Sequence, residues 1–313
     1  MLNVYAEQLT DEAIDSITGV YNDAYSELSR YLSEVLDYNK NPNFSKVPLN
    51  KILARVSEII NNLREDIEIL ATEKIEEGVE IGYAENEYAF LIATGVVTTL
   101  QEVFKKTDSS IVGKLSATII GETIADLVGA TENAEYMITQ IIKQTSTQHL
   151  MMGLLGNYNK VMADQILKQI TSSGLELTIK NGIIGIVDKA GRRWKLNTYV
   201  DMLVKTKYHK ARVEGMKEFY RQNGFGDLAV IPRVGSLDAC SNYEGMVISL
   251  SGDTPDYPSY DELQSTNMVF HPRCRHIPVP IYEINNMDSK DYDYWMEHMD
   301  EFESTLEENL DDY

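Results

Sequence analysis

The amino-acid sequence predicts an α+β protein, in which a mainly helical N-terminal half is followed by a smaller α+β domain. In the first half, apolar residues recur every three or four positions, which is the spacing of amphipathic helices. After Ser172-Ser-Gly174 the chain changes to short β-branched runs separated by turn residues. We therefore predict three parts: a helical scaffold or docking domain (1–172), an α+β domain (173–284) and an acidic C-terminal tail (285–313).

Helical spacing in the N-terminal half predicts a first helix over residues 1–38, a loop over residues 39–48 and then a long helix. Between Leu53 and Leu70 the apolar steps alternate three and four, as in a coiled-coil seam, but Lys74 interrupts the pattern. We therefore prefer a helix packed inside the protein's own bundle, with self-association as the alternative. Further helices are predicted over residues 84–106, 115–129, 131–146 and 150–172.

The elements of the C-terminal half are predicted from turn and strand signals. Runs 183–187 and 193–196, joined by turn residues, predict a hairpin. A helix follows, with Thr198-x-x-Asp201 as its predicted capping box and Asn223 near its end. Strands are predicted over residues 228–231 and 247–250, and an extended edge segment over residues 277–281.

The charge of the chain is strongly negative but uneven. The formal net charge of −21 argues against a protein that coats nucleic acid along its whole surface. Residues 151–233 nevertheless carry 14 basic and 7 acidic side chains, between two acidic regions. This basic segment is the predicted contact for an anionic partner, either DNA phosphates or acidic parts of this or a neighbouring chain. The predicted contact residues are Arg192, Arg193, Lys205, Lys207, Lys210 and Arg212.

The compartment is predicted from three further observations. Two cysteines do not make a disulfide framework. The first residues lack the basic start and apolar run of a signal peptide, and no apolar stretch approaches the ~20 residues that span a bilayer. We expect a protein that is made in a reducing cytoplasm and does not contact a membrane.

An ordered run of motifs marks the C-terminal half: Asp188-Lys-Ala-Gly-Arg-Arg-Trp-Lys-Leu, Tyr199-x-x-Met202, Glu214-Gly, a cysteine followed by Glu244-Gly, Leu250-Ser-Gly, Tyr257-Pro-Ser-Tyr and a closing Cys-Arg-His. This run covers about residues 180–282 and resembles the phage minor capsid protein 2 family, which is related to the phage Mu F-type head morphogenesis proteins. The resemblance implies a non-enzymatic minor structural protein of a tailed-phage head, incorporated in few copies during procapsid assembly in the host cytoplasm. The implied partners are the portal, capsid and scaffold proteins, and some relatives are thought to travel with the DNA.

A short Cys/His run, His271-Pro-Arg-Cys274-Arg-His276, closes this segment. Together with Cys240 these residues would suit a structural zinc ion, because zinc accepts thiolate and imidazole ligands in a tetrahedron. Mu F-type relatives often carry Cys-x-x-Cys before a final Cys-x-Cys, and here Tyr243 stands where one of those thiols is expected. The alternatives are a disulfide formed after lysis or release, and two buried thiols beside hydrogen-bonded histidines.

An enzyme is the alternative function, either metal-dependent or cysteine-based and acting during infection. Cys240 with His271 or His276, or a metal with Glu244 as base, would be its catalytic candidates. Cys240 has no adjacent basic residue that would activate it as a nucleophile. The sequence also contains no His-Glu-x-x-His, Gly-x-Ser-x-Gly or phosphate-binding loop, so it favours a structural role.

The last residues, 285–313, combine aromatic and apolar side chains with strong negative charge. One interpretation is a disordered or loosely helical acidic tail. The other is a docking peptide for a basic rim of a portal or capsid protein. The predicted docking anchors, spaced like one face of a helix, are Tyr294, Trp295, Met299 and Phe302.

Overall fold

The structure, a computed structural model, describes residues 2–36, 49–108, 115–151, 165–166, 168–169, 185–187 and 193–282. Within these ranges the helices are α1 (Leu2–Leu36), α2 (Leu49–Ala93), α3 (Leu100–Phe104), α4 (Ser116–Met151), α5 (Leu196–Asn223) and α6 (Tyr260–Ser265). A 3-10 helix, η1, covers Ala239–Tyr243. The strands are β1 (Gly185–Val187), β2 (Arg193–Lys195), β3 (Leu228–Val230), β4 (Val247–Ser249) and β5 (Val279–Pro280).

Long helices followed by a small antiparallel sheet confirm the predicted α+β class. The predicted helix over residues 84–106 is in fact two helices. Gly95, with φ of +84°, lies in the turn that ends α2. Thr99 then starts α3 through a capping box with Glu102, a local signal that the sequence interpretation missed.

Helix α4 is continuous, so the predicted break between residues 129 and 131 is wrong. Gly129 lowers helix propensity by only about 1 kcal/mol, which packing readily offsets. Ala130 and Thr131 are buried, and Thr131 Oγ1 donates a hydrogen bond to the Val128 carbonyl at 2.7 Å within the helix. The predicted helix over residues 150–172 lies almost wholly outside the described residues.

The predicted hairpin is confirmed, because β1 and β2 pair antiparallel with Ile186 opposite Trp194. Helix α5 begins directly after β2 at Leu196, so the predicted capping box is wrong: Thr198 already lies inside the helix. The three later strands form an antiparallel sheet in the order β4-β3-β5, in which Ala229 pairs with Ile248 and with Pro280. The predicted edge position of residues 277–281 is therefore confirmed.

The described residues group into two units whose segments alternate along the sequence. Unit 1 contains those within 1–12, 73–120 and 202–313, and unit 2 contains those within 13–72 and 121–201. The predicted boundaries near residues 172 and 284 fall outside the described residues. The three-part division therefore stays a prediction.

Unit 2 contains the β1–β2 hairpin and parts of α1, α2 and α4 that pack against one another. Tyr21 on α1 donates a hydrogen bond to the Leu127 carbonyl of α4 at 2.7 Å. Arg64 on α2 pairs with Glu135 on α4 at 2.8 Å. The apolar seam of α2 is buried inside this unit, which supports packing within the protein's own bundle. Its buried members include Val56, Ile60, Leu63 and Ile67. Among the described helices, none is both long and apolar enough to cross a membrane.

Candidate functional site

Both cysteines lie in the hydrophobic core of unit 1. This core joins residues from α5, β3, β4 and α6 with the loops between them, including Met216, Ile248 and Leu263. Cys240 and Cys274 belong to the same buried cluster, and both are free thiols. The short sheet therefore serves as the support on which the Cys/His cluster is built.

Two irregular segments position the cluster. The loop after β3 leads into η1, which carries Cys240 and ends at Glu244. The second segment precedes β5 and contains Phe270 and Arg273, whose φ values of 55° and 69° are unusual for residues with side chains. These turns bring Cys274 back towards η1, although the two cysteines are far apart in sequence.

Three of the four predicted ligands converge on one point. The ligand atoms of Cys240, Cys274 and His276 lie within 4.8 Å of one another, and all three residues are buried. Cys274 Sγ is 3.3 Å from His276 Nδ1. The fourth predicted ligand, His271, forms a second group with Cys240 and Asp238, again within 4.8 Å. Cys240 is therefore shared by both groups.

Glu244 orients the buried imidazole. His276 Nε2 is 3.0 Å from Glu244 Oε1. The same carboxylate oxygen accepts hydrogen bonds from the backbone N–H groups of Val234 at 3.1 Å and Ser236 at 3.0 Å. Burial alone would raise the pKa of Glu244, but these hydrogen bonds lower it below its ordinary value. The carboxylate is therefore ionised and hydrogen-bonded to His276 and to the two backbone N–H groups. Because its oxygen already has these partners, it is poorly placed to act as a catalytic base.

The two thiols differ in acidity. Burial raises the pKa of the Cys240 thiol to about 12, and its hydrogen bond to the Asp238 carboxylate contributes to this. Burial also acts to raise the pKa of Cys274, but hydrogen bonds from His276 lower it below its ordinary value. Burial would lower the pKa of His276, and its contacts with Cys274 and Glu244 raise it instead. In the alternative function, a cysteine enzyme, Cys240 would have to react as a thiolate. A thiol with a raised pKa stays protonated and is a poor nucleophile.

The structure separates the predicted basic contact residues. Arg212 is only 1% exposed, and its Nε donates a hydrogen bond to Glu85 Oε2 on α2 at 3.2 Å. Because α5 buries this side chain against α2, Arg212 contacts an acidic residue of this chain, which is one of the predicted alternatives, and is not available to DNA phosphates or to a neighbouring protein. Arg192 and the side chain of Arg193 lie outside the described residues. Half-buried positions on α5 are occupied by Lys205, Lys207 and Lys210.

The remaining predicted site residues, Tyr294, Trp295, Met299 and Phe302, also lie outside the described residues. Conversely, sequence reasoning missed the positioning roles of Asp238 and Glu244 around the cysteines. One available signal was chemical: a buried histidine next to a thiol needs a partner for its second ring nitrogen. The sequence contains several acidic residues near the cysteines, and no sequence signal distinguishes Glu244 from the others as that partner.

A small cavity borders the cluster in unit 1. It is lined by side chains of α5 and α6 and by the segment before β5, including Lys205, His209, Tyr260, His271, Cys274 and His276. Burial lowers the pKa of His209, and the nearby cations Arg212 and Lys205 lower it further. The cavity therefore presents a neutral histidine beside the Cys/His cluster.

Comparison with known proteins gives one match. A family model described as phage minor capsid protein 2 matches residues 6–306. No curated protein and no solved structure matches the chain. The match covers almost the whole chain, whereas the motif run described above covered about residues 180–282.

Proposed function

The chain belongs to the phage minor capsid protein 2 family, and from this premise we propose that it acts in procapsid assembly, bound near the portal. The family itself makes the chain a minor structural protein of a phage virion, located in the head. The match over residues 6–306 carries the proposal because it includes the helical segments as well as the Cys/His cluster. Portal, capsid or scaffold proteins in the host cytoplasm are the proposed partners.

The exposed surface of α2 supports a docking role. Glu65, Asp66 and Glu68 are all exposed on this helix, beside Ile69, whose side chain is 65% exposed. An acidic face with an apolar residue in it fits a partner surface that is basic at its rim and apolar within. We infer that α2 presents this face to the partner in the head.

The proposal is tested by co-expression with the portal and capsid proteins of the phage that encodes the chain. The portal is captured through a tag, and the amount of retained chain is measured at rising salt concentrations. We expect retention that weakens as salt increases, because the docking face is acidic and exposed. Retention on neither portal nor capsid would overturn the proposal.

Charge reversal locates the docking face in the same experiment. Changing Glu65, Asp66 and Glu68 to Lys should reduce retention at least tenfold, which corresponds to ~1.4 kcal/mol. The matched control reverses three exposed aspartates on α1. Equal losses in both variants would assign the effect to net charge rather than to the α2 face. The control positions are Asp11, Asp15 and Asp23.

Contact with DNA stays a prediction. Since Arg212 is buried, the predicted DNA-contact residues whose side chains the structure describes are the lysines on α5. Such binding would be weak, independent of sequence and sensitive to salt. The proposed role near the portal does not depend on it.

A cysteine-based enzyme is the second candidate function. Cys274, His276 and Glu244 are linked by hydrogen bonds in that order, which is the arrangement of a thiol, a base and the group that orients the base. A nucleophile must reach its substrate, however, and Cys274 is 5% exposed. A phage carrying Cys274→Ala separates the two functions. Failure of head assembly supports the structural role, whereas normal assembly followed by a later defect in infection supports the enzyme.

A further inference from the structure

The distances in the Cys/His cluster are those of a metal site. With Zn–S bonds of about 2.3 Å and Zn–N bonds of about 2.0–2.1 Å, a tetrahedral zinc holds a thiolate and an imidazole nitrogen ~3.5 Å apart. Cys274 Sγ and His276 Nδ1 are 3.3 Å apart. Cys240 Sγ lies within 4.8 Å of both ligand atoms. A small contraction around an ion would therefore complete three corners of the tetrahedron.

The surroundings of His276 point to the same conclusion. Histidines that bind metals donate their second ring N–H to a carboxylate or carbonyl, which fixes the ring orientation. His276 has this arrangement, with Nδ1 facing Cys274 and Nε2 facing Glu244. The carboxylate is itself held by the backbone of the loop after β3, through Val234 and Ser236. Close packing of two thiols in an apolar core would not require such a chain of polar contacts.

His271 is the candidate for the fourth corner, but it is grouped with Cys240 and Asp238 rather than with Cys274 and His276, so its imidazole would turn towards them when the ion binds. Its ligand atom lies within 4.8 Å of that of Cys240. Its Nδ1 is 3.0 Å from the Pro272 carbonyl oxygen, and its Nε2 is 3.7 Å from Asp238 Oδ2, a contact that a bound ion would replace. Two thiolates and two neutral imidazoles balance the charge of Zn²⁺, whereas adding Asp238 in place of His271 would leave a net negative charge in a buried site.

We propose that Cys240, His271, Cys274 and His276 bind one structural zinc ion. The ion would fasten the loop after β3 to the segment that precedes β5. This sheet needs such support, since its strands contain only three, three and two residues. Small folds with little regular structure often gain their stability from a metal in this way.

Metal analysis of the purified full-length chain tests the proposal. The protein is expressed in zinc-supplemented cells, passed through a desalting column and analysed for metals by mass spectrometry. We expect about one zinc ion per chain, because a closed four-ligand site holds zinc tightly. We also expect both thiols to resist alkylation until a chelator is added. Absence of metal from the purified chain would overturn the proposal, whether the thiols are alkylatable, protected by burial or joined in a disulfide.

Variants then assign the ligands. Cys274→Ser and Cys240→Ser should each lose the zinc, whereas Met246→Ala should retain it. Met246 is a suitable control because it is fully buried in the same core, and a thioether is not among the groups that bind zinc in structural sites. Zinc lost from the Met246 variant as readily as from the cysteine variants would indicate loss through unfolding and contradict the assignment.

A variant outside the ligand set gives an independent readout. Glu244→Gln should keep the zinc site but weaken its affinity about 10–100-fold, as expected for a group that orients a metal-binding histidine. Replacement of zinc by cobalt(II) should give the visible bands of a tetrahedral thiolate–imidazole site in the wild type. Octahedral cobalt spectra, or an affinity unchanged by Glu244→Gln, would contradict the proposed geometry.

Discussion

Among single residues, Arg212 changes the functional picture most. Its position among lysines on a basic helix predicts a surface side chain, yet it lies buried against Glu85. Sequence periodicity could not show this, because it indicated one apolar face for α5. In the structure this helix also buries polar positions such as Lys217, which pairs with Asp261 at 2.9 Å. Buried partners from distant segments are invisible to a local pattern.

Removal of Arg212 should strongly destabilise the protein. Arg212→Ala leaves the Glu85 carboxylate buried without its partner, and loss of one member of a buried pair lowers the free energy of unfolding by about 3–5 kcal/mol. Chemical denaturation measures this quantity. The matched control is Arg221→Ala, because Arg221 is 46% exposed and its ion pairs should contribute less than about 1 kcal/mol. Equal, small effects of both variants would mean that the Arg212–Glu85 pair is solvated.

Between elements, α2 and α5 approach each other closely at the glycines where they cross. A Cβ atom added to Gly82 would lie 1.8 Å from the Arg212 carbonyl oxygen, and one added to Gly215 would lie 1.9 Å from the Val79 carbonyl oxygen. Gly78 and Gly82 are four residues apart, as are Ala211 and Gly215, so small residues form a stripe on each helix. This signal was present in the sequence but is weak without knowledge of which helices meet.

A methyl group at this crossing should force the helices apart. Gly82→Ala is expected to lower the free energy of unfolding by at least ~1–3 kcal/mol, the range for overpacked cores. Gly121→Ala on α4 is the control, since no atom lies within 4 Å of its added Cβ. There the change should stabilise the protein by about 0.4–1 kcal/mol. Thermal or urea unfolding that ranks the two variants in the opposite order would refute the proposed crossing.

Local signals account for the elements that sequence predicted well. Turn residues identified the hairpin of β1 and β2, and Asn223-Gly224 identified the end of α5, where Gly224 has φ of +74°. The capping boxes at Thr99 and Ser259 carry equally local signals and were missed. Contacts between segments, such as Glu244 with His276, could not be predicted, because no local rule links residues brought together only by the fold.

For the whole molecule, the sequence motifs that resemble the family cover a shorter part of the chain than the family model does. The motif run stopped near residue 180, whereas the family model begins at residue 6. The helical segments have few residues with special backbone or chemical requirements, and amphipathic spacing is shared by many unrelated helices. Cysteine and histidine have distinctive chemistry, so the sequence could single out three residues that the structure brings together, Cys240, Cys274 and His276, whereas Arg212 was wrongly placed on the surface.

The most direct test of a role in head assembly is quantitative mass spectrometry of purified procapsids and mature virions. We predict that the chain is present in procapsids at a few copies per portal ring, and that it remains in the virion. Its amount is normalised to that of the portal protein in the same preparation, and scaffold protein provides the control for a component lost on maturation. Absence of the chain from both particles would contradict a structural role in the head.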